Sequence, residues 1–283
     1  MKKLSIIIVH YQVAHLLRNC LRSIEKYLIA IDYEVIVIDN NSPDTSWKEL
    51  MSEFPKVTFV ASTSNEGFAK ANNRMVTLAQ GEYLLLLNPD TEIEGFYFEE
   101  ILDFADKQNN LGCLGLRMHN AQGDFLPESK RSVPNTINAF EKLFSPFSGQ
   151  KTGRKNYYRN DISETEISEV EVITGAFLLI KKQVYLDVGG LDERYFMYGE
   201  DVDLCYTLLK KGYRNFYYGK HAILHYKGES TIKDKTYLKR FYGAMSIFLD
   251  KYYKKSSPLK YFILKKGLDL KYRWALRKLI QRN

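Results

Sequence analysis

Apolar residues near the start of the chain follow two alternating patterns. Short, nearly uninterrupted apolar runs predict strands that are buried on both faces, as in a parallel sheet. These runs occupy Leu4–Val9, Glu34–Ile38, Val57–Val60 and Tyr83–Leu87. Between them, apolar residues recur at helical spacing, most clearly at Leu16, Leu17, Cys20, Leu21, Ile24 and Leu28. Strand and helix alternate four times, which predicts an α/β fold with a doubly wound, mostly parallel sheet flanked by helices.

Turn-forming residues place the ends of these elements. Ser42 and Pro43 suit the cap and the first turn of a helix that reaches about Phe54. Asn65 opens a further helix, which stops at Gly81. The other predicted elements are a helix over about 95–107, a strand over Cys113–Arg117, a strand over Val170–Ile180 that is broken at 174–176, a short helix ending at Gly189–Gly190 and a strand over Asn215–Tyr218. Residues 118–169 show little periodicity and predict long loops with short helices.

Polar residues cluster where the predicted strands end. They are His10 and Tyr11 after the first strand, Asp39 and Asn41 after the second, Asn65 after the third, and Asn88 and Asp90 after the fourth. In an open α/β sheet, ligands bind beyond the carboxyl ends of the strands, so we expect a binding site at this edge. The chain has neither G-x-G-x-x-G after the first strand nor G-x-x-x-x-G-K, so the usual dinucleotide and P-loop signals are missing.

Three carboxylates lie close together in the stretch Tyr195–Cys205, at Glu200, Asp201 and Asp203. Leucines recur at helical spacing downstream and Gly212 follows, so the acids are expected to open a helix, where the dipole favours negative charge. On one helical turn they point in different directions, and at most one or two can face a common site. A solvated helix start is one interpretation. The apolar residues just upstream favour another, an acid with a raised pKa that acts as a base.

Composition narrows the class of protein. The 283-residue chain is 45% hydrophobic with a mean hydropathy of −0.34, as expected for a soluble globular protein with a sizeable core. Cys20, Cys113 and Cys205 are far apart and form neither a metal-type pair nor a disulfide framework, which indicates a reducing compartment. The N-terminal apolar run is too short for a signal peptide. No stretch approaches the roughly twenty apolar residues of a membrane span.

Charge is unevenly distributed. The net charge is +7, but residues 233–283 contain fifteen Lys or Arg against three Asp, a net +12, so residues 1–232 carry −5. Two helices are predicted in this basic tail, over Tyr237–Tyr253 and Leu259–Ile280, and the second interleaves aromatic with cationic residues. Such a helix is a candidate for lying on an anionic membrane surface. Packing of the tail on the body is the alternative, and nucleic-acid binding is disfavoured because no recognition motif accompanies the basic run.

Eight short segments stand out in order along the chain. They are SIIIVHY at 5–11, VIDNNS at 37–42, NEGFAKANN at 65–73, LNPDTE at 87–92, TGAF at 174–177, GGLDE at 189–193, FMYGEDVDL at 196–204 and HYKGES at 225–230. Together they resemble the family 2 glycosyltransferases with the GT-A fold, in particular bacterial rhamnosyltransferase-like members. The resemblance covers the chain from Leu4 to about Ser230. It implies transfer of a sugar from a nucleoside diphosphate donor, with inversion at the anomeric carbon.

The resemblance also implies a role for each matching residue. Val9 and Tyr11 would lie against the base, Asp39 would hydrogen-bond the base or the ribose, and Asn41, Asn65 and Lys70 would border the nucleotide. Asn88 and Asp90 fill the family's D-x-D position. Asp90 would hold a divalent cation, Mg²⁺ or Mn²⁺, with His225 as a ligand of the metal or the diphosphate. Asp201, with Glu200 beside it, would deprotonate the acceptor hydroxyl.

Two positions depart from the family pattern. Asn88 stands where many members have the first Asp, which leaves Asp90 as the carboxylate of that motif, and His10 sits where smaller or amide residues are usual. Taken singly, the candidate residues have structural interpretations as well. Asn88-Pro89-Asp90 suits a turn, His225 suits a core or capping histidine, and Asp39 suits an Asx turn.

The resemblance thus implies a metal-dependent inverting glycosyltransferase of cell-surface polysaccharide synthesis, and with the basic tail it suggests a location in the cytoplasm on the inner face of the cytoplasmic membrane. Its donor would be dTDP- or UDP-linked, with dTDP-rhamnose preferred, and its acceptor a saccharide or a lipid-linked saccharide. Residues 1–230 would form the GT-A domain, with a nucleotide-binding half (1–117) and an acceptor half (118–230), and 231–283 a basic amphipathic helical tail. Two alternatives stay open. One is a nucleotidyltransferase, which the missing Gly-rich basic loop disfavours, and the other is a catalytically silent nucleotide- or glycan-binding module.

Overall fold

The four apolar runs form the parallel half of one sheet in the computed structural model, which describes residues 2–95, 98–134, 157–226 and 234–281. The strands are β1 (Leu4–His10), β2 (Tyr33–Asp39), β3 (Thr58–Ala61) and β4 (Tyr83–Leu87). They lie in the order β3-β2-β1-β4, and each pairing between them is parallel.

Both faces of the first strand are buried, which explains its continuous apolar character. Along β1, Ile6 and Ile8 belong to one core cluster, whereas Ile7 and Val9 belong to a second cluster. This alternation follows from the two-residue period of a strand, whose successive side chains point to opposite faces of the sheet.

Helices cover both faces of this half. They are α1 (Ala14–Tyr27), α2 (Glu49–Glu53), α3 (Gly67–Val76) and α4 (Phe98–Lys107). Apolar residues of α1, α2 and α4 belong to the first cluster, and those of α3 belong to the second. The doubly wound α/β arrangement that the sequence predicted is therefore confirmed.

The helix expected from Pro43 to about Phe54 is shorter than predicted. The chain forms a 3₁₀ turn at Ser46–Lys48 and then α2, so Ser42 does not cap a helix. Ser42 instead joins two strand ends, because its hydroxyl accepts the Gln12 N–H at 2.9 Å and its own N–H donates to Asp39 Oδ2 at 3.1 Å. The polar groups that suit a cap are thus engaged in holding the loops together.

The second half of the sheet is mixed. Its strands are β5 (Thr91–Ile93), β6 (Leu111–His119), β7 (Ile167–Glu169), β8 (Phe177–Lys181) and β9 (Arg214–His225). The sheet continues from β4 in the order β8-β6-β9-β5, with β7 also on β9. β8 is antiparallel to β4 and β6, β5 and β7 are antiparallel to β9, and β6 is parallel to β9. Six of the nine described strands therefore run in the same direction, as predicted for a mostly parallel sheet.

Two strand predictions need correction. The strand expected over Val170–Ile180 is regular only in β8, and Val172 makes just an isolated bridge with Arg131. The loop between Val172 and β8 contacts the helix that begins at Glu200, because the Gly175 N–H donates to Asp201 Oδ2 at 3.2 Å. β9 is longer than predicted because it pairs with β5, a three-residue strand that the sequence did not reveal.

The described part of the chain contains four more α-helices. They are α5 (Lys182–Asp187), α6 (Glu200–Lys210), α7 (Lys235–Tyr252) and α8 (Pro258–Ile280). α7 packs on the body, because its Phe248 joins the second core cluster. α8 packs on α7 through Leu249, Leu264 and Leu268. The alternative in which the tail packs on the body therefore holds for α7 and, through it, for α8.

Parts of the predicted layout lie outside the described residues. These parts are 135–156, in the middle of the predicted long loops, and 227–233, which include most of the HYKGES segment. Of the rest of the loop region, residues 118–134 contain a 3₁₀ turn at Pro127–Ser129, and 157–169 contain β7. Among the described helices, none combines the length and the apolar character needed to cross a bilayer.

Gly67, the first residue of α3, supports a prediction about how the two halves are held together. Its φ is +79°, and a Cβ there would lie 2.3 Å from the Phe196 carbonyl oxygen, which accepts the Phe68 N–H at 2.7 Å. Gly123 has a φ of +83° with nothing within 4 Å of a Cβ, so Gly123→Ala measures the backbone strain alone. We expect Gly123→Ala to lower the unfolding free energy by about 1 kcal/mol. Gly67→Ala should lose roughly 1–3 kcal/mol more, because the backbone must move as well.

Urea denaturation of both variants provides the measurement. Equal losses would show that the approach of Gly67 to Phe196 does not contribute to stability.

Candidate active site

A buried pair forms where β1 and β2 end. His10 Nε2 accepts the Val13 N–H at 3.1 Å, so the proton of this imidazole is on Nδ1, which donates to Asp39 Oδ1 at 3.0 Å. Burial lowers the pKa of His10, although the Asp39 carboxylate opposes the shift. Asp39 Oδ2 accepts the Ser42 N–H. Both oxygens of Asp39 are thus engaged. The contact with Ser42 is the Asx-type contact expected of a turn, and the two contacts together fix the carboxylate at the end of the strand.

The other residues predicted to contact the nucleotide surround this pair. Val9 is buried at the end of β1, whereas Tyr11 is 40% exposed beyond it, and Asn41 has a φ of +63° beyond β2. Asn65 is engaged within the protein, because its Oδ1 accepts from the Gly67 N–H and from Asn40 Nδ2, both at 3.1 Å. Lys70 lies on a more exposed side of α3, where it pairs with Glu66 at 3.4 Å.

Asn40 is a residue of this edge that the sequence analysis did not single out. Its Nδ2 also donates to the Gly67 carbonyl at 3.2 Å, and its Oδ1 accepts the Glu66 N–H at 2.9 Å. It therefore connects the end of β2 to the start of α3. The sequence signal for Asn40 was its position in the VIDNNS segment. An asparagine in such a turn has no sequence pattern that shows whether its side chain connects two elements.

The pairing of β5 with β9 brings Asp90 and His225 together. Thr91 is opposite His225 in the register, and the Tyr226 N–H donates to the Asp90 carbonyl at 2.9 Å. As a result, Asp90 Oδ1 lies 3.4 Å from His225 Nε2, and both residues are buried. His225 Nδ1 is buried with no hydrogen-bond partner among the described residues.

The Asp90 carboxylate and the His225 imidazole are both groups that can bind a cation. The described residues contain no group of three or more His, Cys, Asp or Glu side chains placed to hold a metal. One carboxylate and one imidazole do suit a hard cation that takes its remaining ligands from water and phosphate oxygens, as Mg²⁺ does. The buried His225 nitrogen that lacks a partner is consistent with such an occupant. The residues therefore fit a cation shared with a ligand, and they do not form a complete protein cage.

The three acids of α6 go to three different environments, as expected for neighbours on one helical turn. Gly199 precedes the helix with a φ of +82°. Glu200 is buried, Asp201 faces an arginine, and Asp203 turns towards α7. Asp203 accepts from Lys251 Nζ at 2.7 Å and from the Tyr252 hydroxyl at 2.9 Å. Asp203 is therefore an attachment point for the C-terminal helices.

Asp201 forms a largely but not fully buried ion pair with Arg131. Arg131 Nη2 donates to Asp201 Oδ2 at 2.6 Å and to the Ile173 carbonyl at 2.7 Å, while the Gly175 N–H reaches the same Asp201 oxygen. Burial opposes the positive charge of Arg131, but the Asp201 carboxylate outweighs it, so the pKa of Arg131 lies above its ordinary value. The sequence analysis missed Arg131 because it lies in the aperiodic region 118–169, where two adjacent cations, Lys130 and Arg131, look like a solvated turn.

Glu200 differs from Asp201 in its electrostatic environment. Burial raises the pKa of Glu200 to about 8, and the negative charge of Asp201 adds to the shift. Glu200 Oε2 is buried and has no hydrogen-bond partner in the described part of the chain. The Glu200 carboxyl is therefore largely protonated at neutral pH in the folded protein, because its pKa lies above 7.

A cavity of about 480 Å³ adjoins these acids. Asn88, Arg131, Glu200 and Asp201 line it, together with the loop at Thr174–Ala176 and residues of α7 and α8. The structure thus brings the D-x-D position and the acidic helix of the prediction to one space. Asp90 and His225 lie beside Asn88 at the adjoining strand end, and Val9, Tyr11, Asp39 and Asn41 lie along the same sheet edge.

Comparison with known proteins gives the same picture. Residues 5–185 match the sequence profile described as Glycosyl transferase family 2. Over 230 residues the chain is 30% identical to an N-acetylglucosaminyl-diphospho-decaprenol L-rhamnosyltransferase of Mycobacterium tuberculosis, with 76% of this chain and 74% of that protein covered. It is 24% identical over 215 residues to the rhamnosyltransferase WbbL of Escherichia coli, with 69% and 73% covered. The crystal structure of GalNAc-T7 with UDP, GalNAc and Mn²⁺ overlays with a TM-score of 0.64 at 16% identity.

The chain therefore belongs to glycosyl transferase family 2, and its mixed sheet with flanking helices is the GT-A fold. The overlay on GalNAc-T7 covers 99% of this chain but 57% of that one, so this chain spans little more than half of its length. Family membership defines a glycosyltransferase and leaves the nucleotidyltransferase alternative without support.

The raised pKa of Glu200 predicts a pH dependence of stability. Its folded-state pKa of about 8 lies above the ordinary 4.5, so between these pH values the folded protein holds a proton that the unfolded chain releases. Stability therefore falls as pH rises through that window, by up to about 1.4 kcal/mol per pH unit. Glu200→Gln should remove this fall.

The measurement is urea denaturation of the variant and of wild type between about pH 5 and about pH 9. The difference between their unfolding free energies isolates the contribution of Glu200, because the contributions of the other titratable groups cancel. Glu49→Gln, at the exposed start of α2, is the matched control and should give a flat difference. A flat difference for Glu200→Gln as well would contradict the buried, protonated state.

Proposed function

We propose that the chain is an inverting glycosyltransferase that moves a sugar, with rhamnose preferred, from a dTDP- or UDP-linked donor to a saccharide acceptor carried on a lipid. It would act in cell-surface polysaccharide synthesis. The observation that carries the proposal is the placing of Asp201 and Asn88 around one cavity beside the Asp90–His225 pair. The reactions named for the mycobacterial and WbbL relatives support the donor sugar, and the name of the mycobacterial relative supports a lipid-diphosphate acceptor.

Asp201 is proposed as the general base. Arg131 and the Gly175 N–H hold Oδ2, which fixes the position of the carboxylate. Oδ1, which accepts the Val202 N–H at 2.8 Å, is the oxygen that would take the proton of the acceptor hydroxyl. The acceptor oxygen then bonds to the anomeric carbon as the bond to the diphosphate breaks. A single displacement needs one carboxylate, and the raised pKa of Glu200 favours its neighbour Asp201 for this role.

The opposite side of the reaction is assigned to the strand ends. Asp90 and His225 would hold Mg²⁺ or Mn²⁺, which when bound neutralises the charge that develops on the departing diphosphate. The exposed Tyr11 and the buried Val9 would lie against the base, and Asp39, fixed by His10, would present its carboxylate to the base or ribose. Asn41, Asn65 and Lys70 would border the nucleotide.

The C-terminal helices are proposed to bring the enzyme to the inner face of the cytoplasmic membrane. Residues 234–281 carry thirteen Lys or Arg against three Asp, a net +10. The exposed apolar side chains of α8 include Phe262, Leu270 and Trp274. A cationic helix with exposed aromatic and aliphatic side chains suits an anionic lipid surface.

The proposed base gives a direct test. Asp201→Asn should lower kcat by about two to four decades, the range for loss of a general base, and leave donor binding near normal. The measurement is a steady-state rate with dTDP-rhamnose and a lipid-linked saccharide, together with calorimetric titration of dTDP. Asp187→Asn, exposed at the end of α5, is the matched control and should keep wild-type turnover. Normal turnover in Asp201→Asn would remove this residue from the mechanism, and nucleotide binding without turnover in the wild type would favour the silent module.

The cation site is tested by nucleotide binding. In Mn²⁺ or Mg²⁺, dTDP or UDP at about 100 times its dissociation constant should add about 2.7 kcal/mol of stability, and EDTA should remove most of it. Asp90→Ala and His225→Ala should each weaken the metal-dependent binding by at least about tenfold. Asp103→Ala, exposed on α4, should not change it. Equal nucleotide affinity with and without the cation would contradict the assignment.

A further inference from the structure

The cavity beside Asp201 continues well past the acids. Its walls away from α6 come largely from α7 and α8, with Phe241, Met245, Phe248, Leu249, Leu264 and Leu268 as the main apolar contributors. Among the described residues of these two helices that line it, Lys271 is the one that carries a charge. A volume of about 480 Å³ is within the range of small-molecule sites.

Such walls are a poor match for a second saccharide unit. Sugar hydroxyls that enter an apolar space without hydrogen-bond partners lose their hydration at a substantial free-energy cost. Two of the tyrosines that line the cavity have hydroxyls engaged within the protein, Tyr195 with Asp203 at 3.3 Å and Tyr253 with the Pro134 carbonyl at 3.4 Å. Methylene and methyl groups, in contrast, gain by leaving water in contact with these side chains.

The opposite side of α8 faces outward and is also apolar in part. Leu259, Ile263, Leu270 and Trp274 are exposed and are spaced by four or seven residues, which places them on one face of the helix. Leu264 and Leu268 are buried on another face and line the cavity. α8 therefore separates the cavity from a cationic, partly apolar outer surface. Inside the cavity, the positive charge of Lys271 is complementary to the phosphate groups that link a saccharide to a lipid.

We propose that the cavity between α6, α7 and α8 binds the hydrocarbon chain of the acceptor lipid, the segment next to its phosphate-linked sugar. The sugar hydroxyl then lies at Asp201, and the hydrocarbon chain of the lipid lies along the cavity walls that α7 and α8 provide. This inference rests on the proposed function, since it assigns the lipid-bearing part of the acceptor for that same site. It makes the C-terminal helices part of the acceptor site in addition to their contact with the membrane.

The test measures chain-length preference by binding, without turnover. The probes are geranylgeranyl diphosphate and dimethylallyl diphosphate, which share a head group and differ in hydrocarbon length, titrated calorimetrically into the full chain in detergent-free buffer. Wild type should bind the longer probe more than about tenfold tighter. Met245→Trp, which fills the cavity from α7, should reduce that ratio at least about fivefold. Ile247→Trp, on the same helix but outside the cavity lining, should keep it.

Leu268→Trp fills the cavity from α8 and is the second variant, so that the result does not depend on one substitution folding. Trp274→Ala, on the outer face, should weaken binding to vesicles that contain anionic lipid and leave the chain-length ratio unchanged. A ratio near one in wild type, or a ratio that Trp274→Ala removes and both filling variants keep, would overturn the proposal.

Nucleotide binding by the same samples separates the two hypotheses. If dTDP or UDP binds with cation and the chain-length ratio is near one, the cavity assignment is wrong and the proposed function stands. If neither nucleotide binds, the proposed function is wrong, and a strong chain-length ratio would still support a hydrocarbon site.

Discussion

The ion pair between Arg131 and Asp201 joins three separate parts of the chain. Arg131 comes from the loop after β6, its second contact is the Ile173 carbonyl before β8, and Asp201 is in the first turn of α6. At 2.6 Å and only partly exposed, the pair resists separation, because removing one partner would leave the other charge largely shielded from water without its counter-charge. The loop at Thr174–Ala176 is fixed by the same contacts. The geometry around the proposed base therefore depends on a residue about 70 positions upstream.

One turn of α6 serves three purposes because its acids enter three environments. Burial raises the pKa of Glu200, Asp201 pairs with Arg131, and Asp203 holds α7 through Lys251 and Tyr252. The helix start consequently couples the chemistry of the site to the position of the C-terminal helices. A displacement of α7 would be felt at Asp203, two residues from the proposed base. This coupling makes the tail part of the enzyme's architecture, whichever surface its outer face contacts.

The sequence allowed the sheet and most of the helices to be predicted because their signals are local. The continuous apolar character of Leu4–Val9 reflects burial on both faces, which is a property of any parallel strand between helices. Gly212 was expected to follow α6, and it does so with a φ of +86°. Ser42 misled the prediction because the same hydroxyl that caps a helix can accept the Gln12 N–H from a neighbouring loop.

The missed parts of the site have no local signal. β5 has three residues and is a strand only because β9 lies beside it. Arg131 lies in a region without hydrophobic periodicity, and only the tertiary fold brings it next to Asp201. Family resemblance supplied Asp90, His225 and Asp201 as candidates, yet the proximity of Asp90 to His225 follows from the register Thr91 to His225.

That register has a consequence for the order in which the protein is assembled. Glu92 and Tyr226, joined by a hydrogen bond across this pairing, are 134 positions apart, and β9 follows the other eight described strands along the chain. Pairing over such a distance carries a large loop-closure entropy and tends to form late. During synthesis, the chain can build its parallel half long before Asp90 acquires its imidazole neighbour. The proposed cation site can thus form only when nearly all of the sheet has formed, so an incomplete chain would lack it.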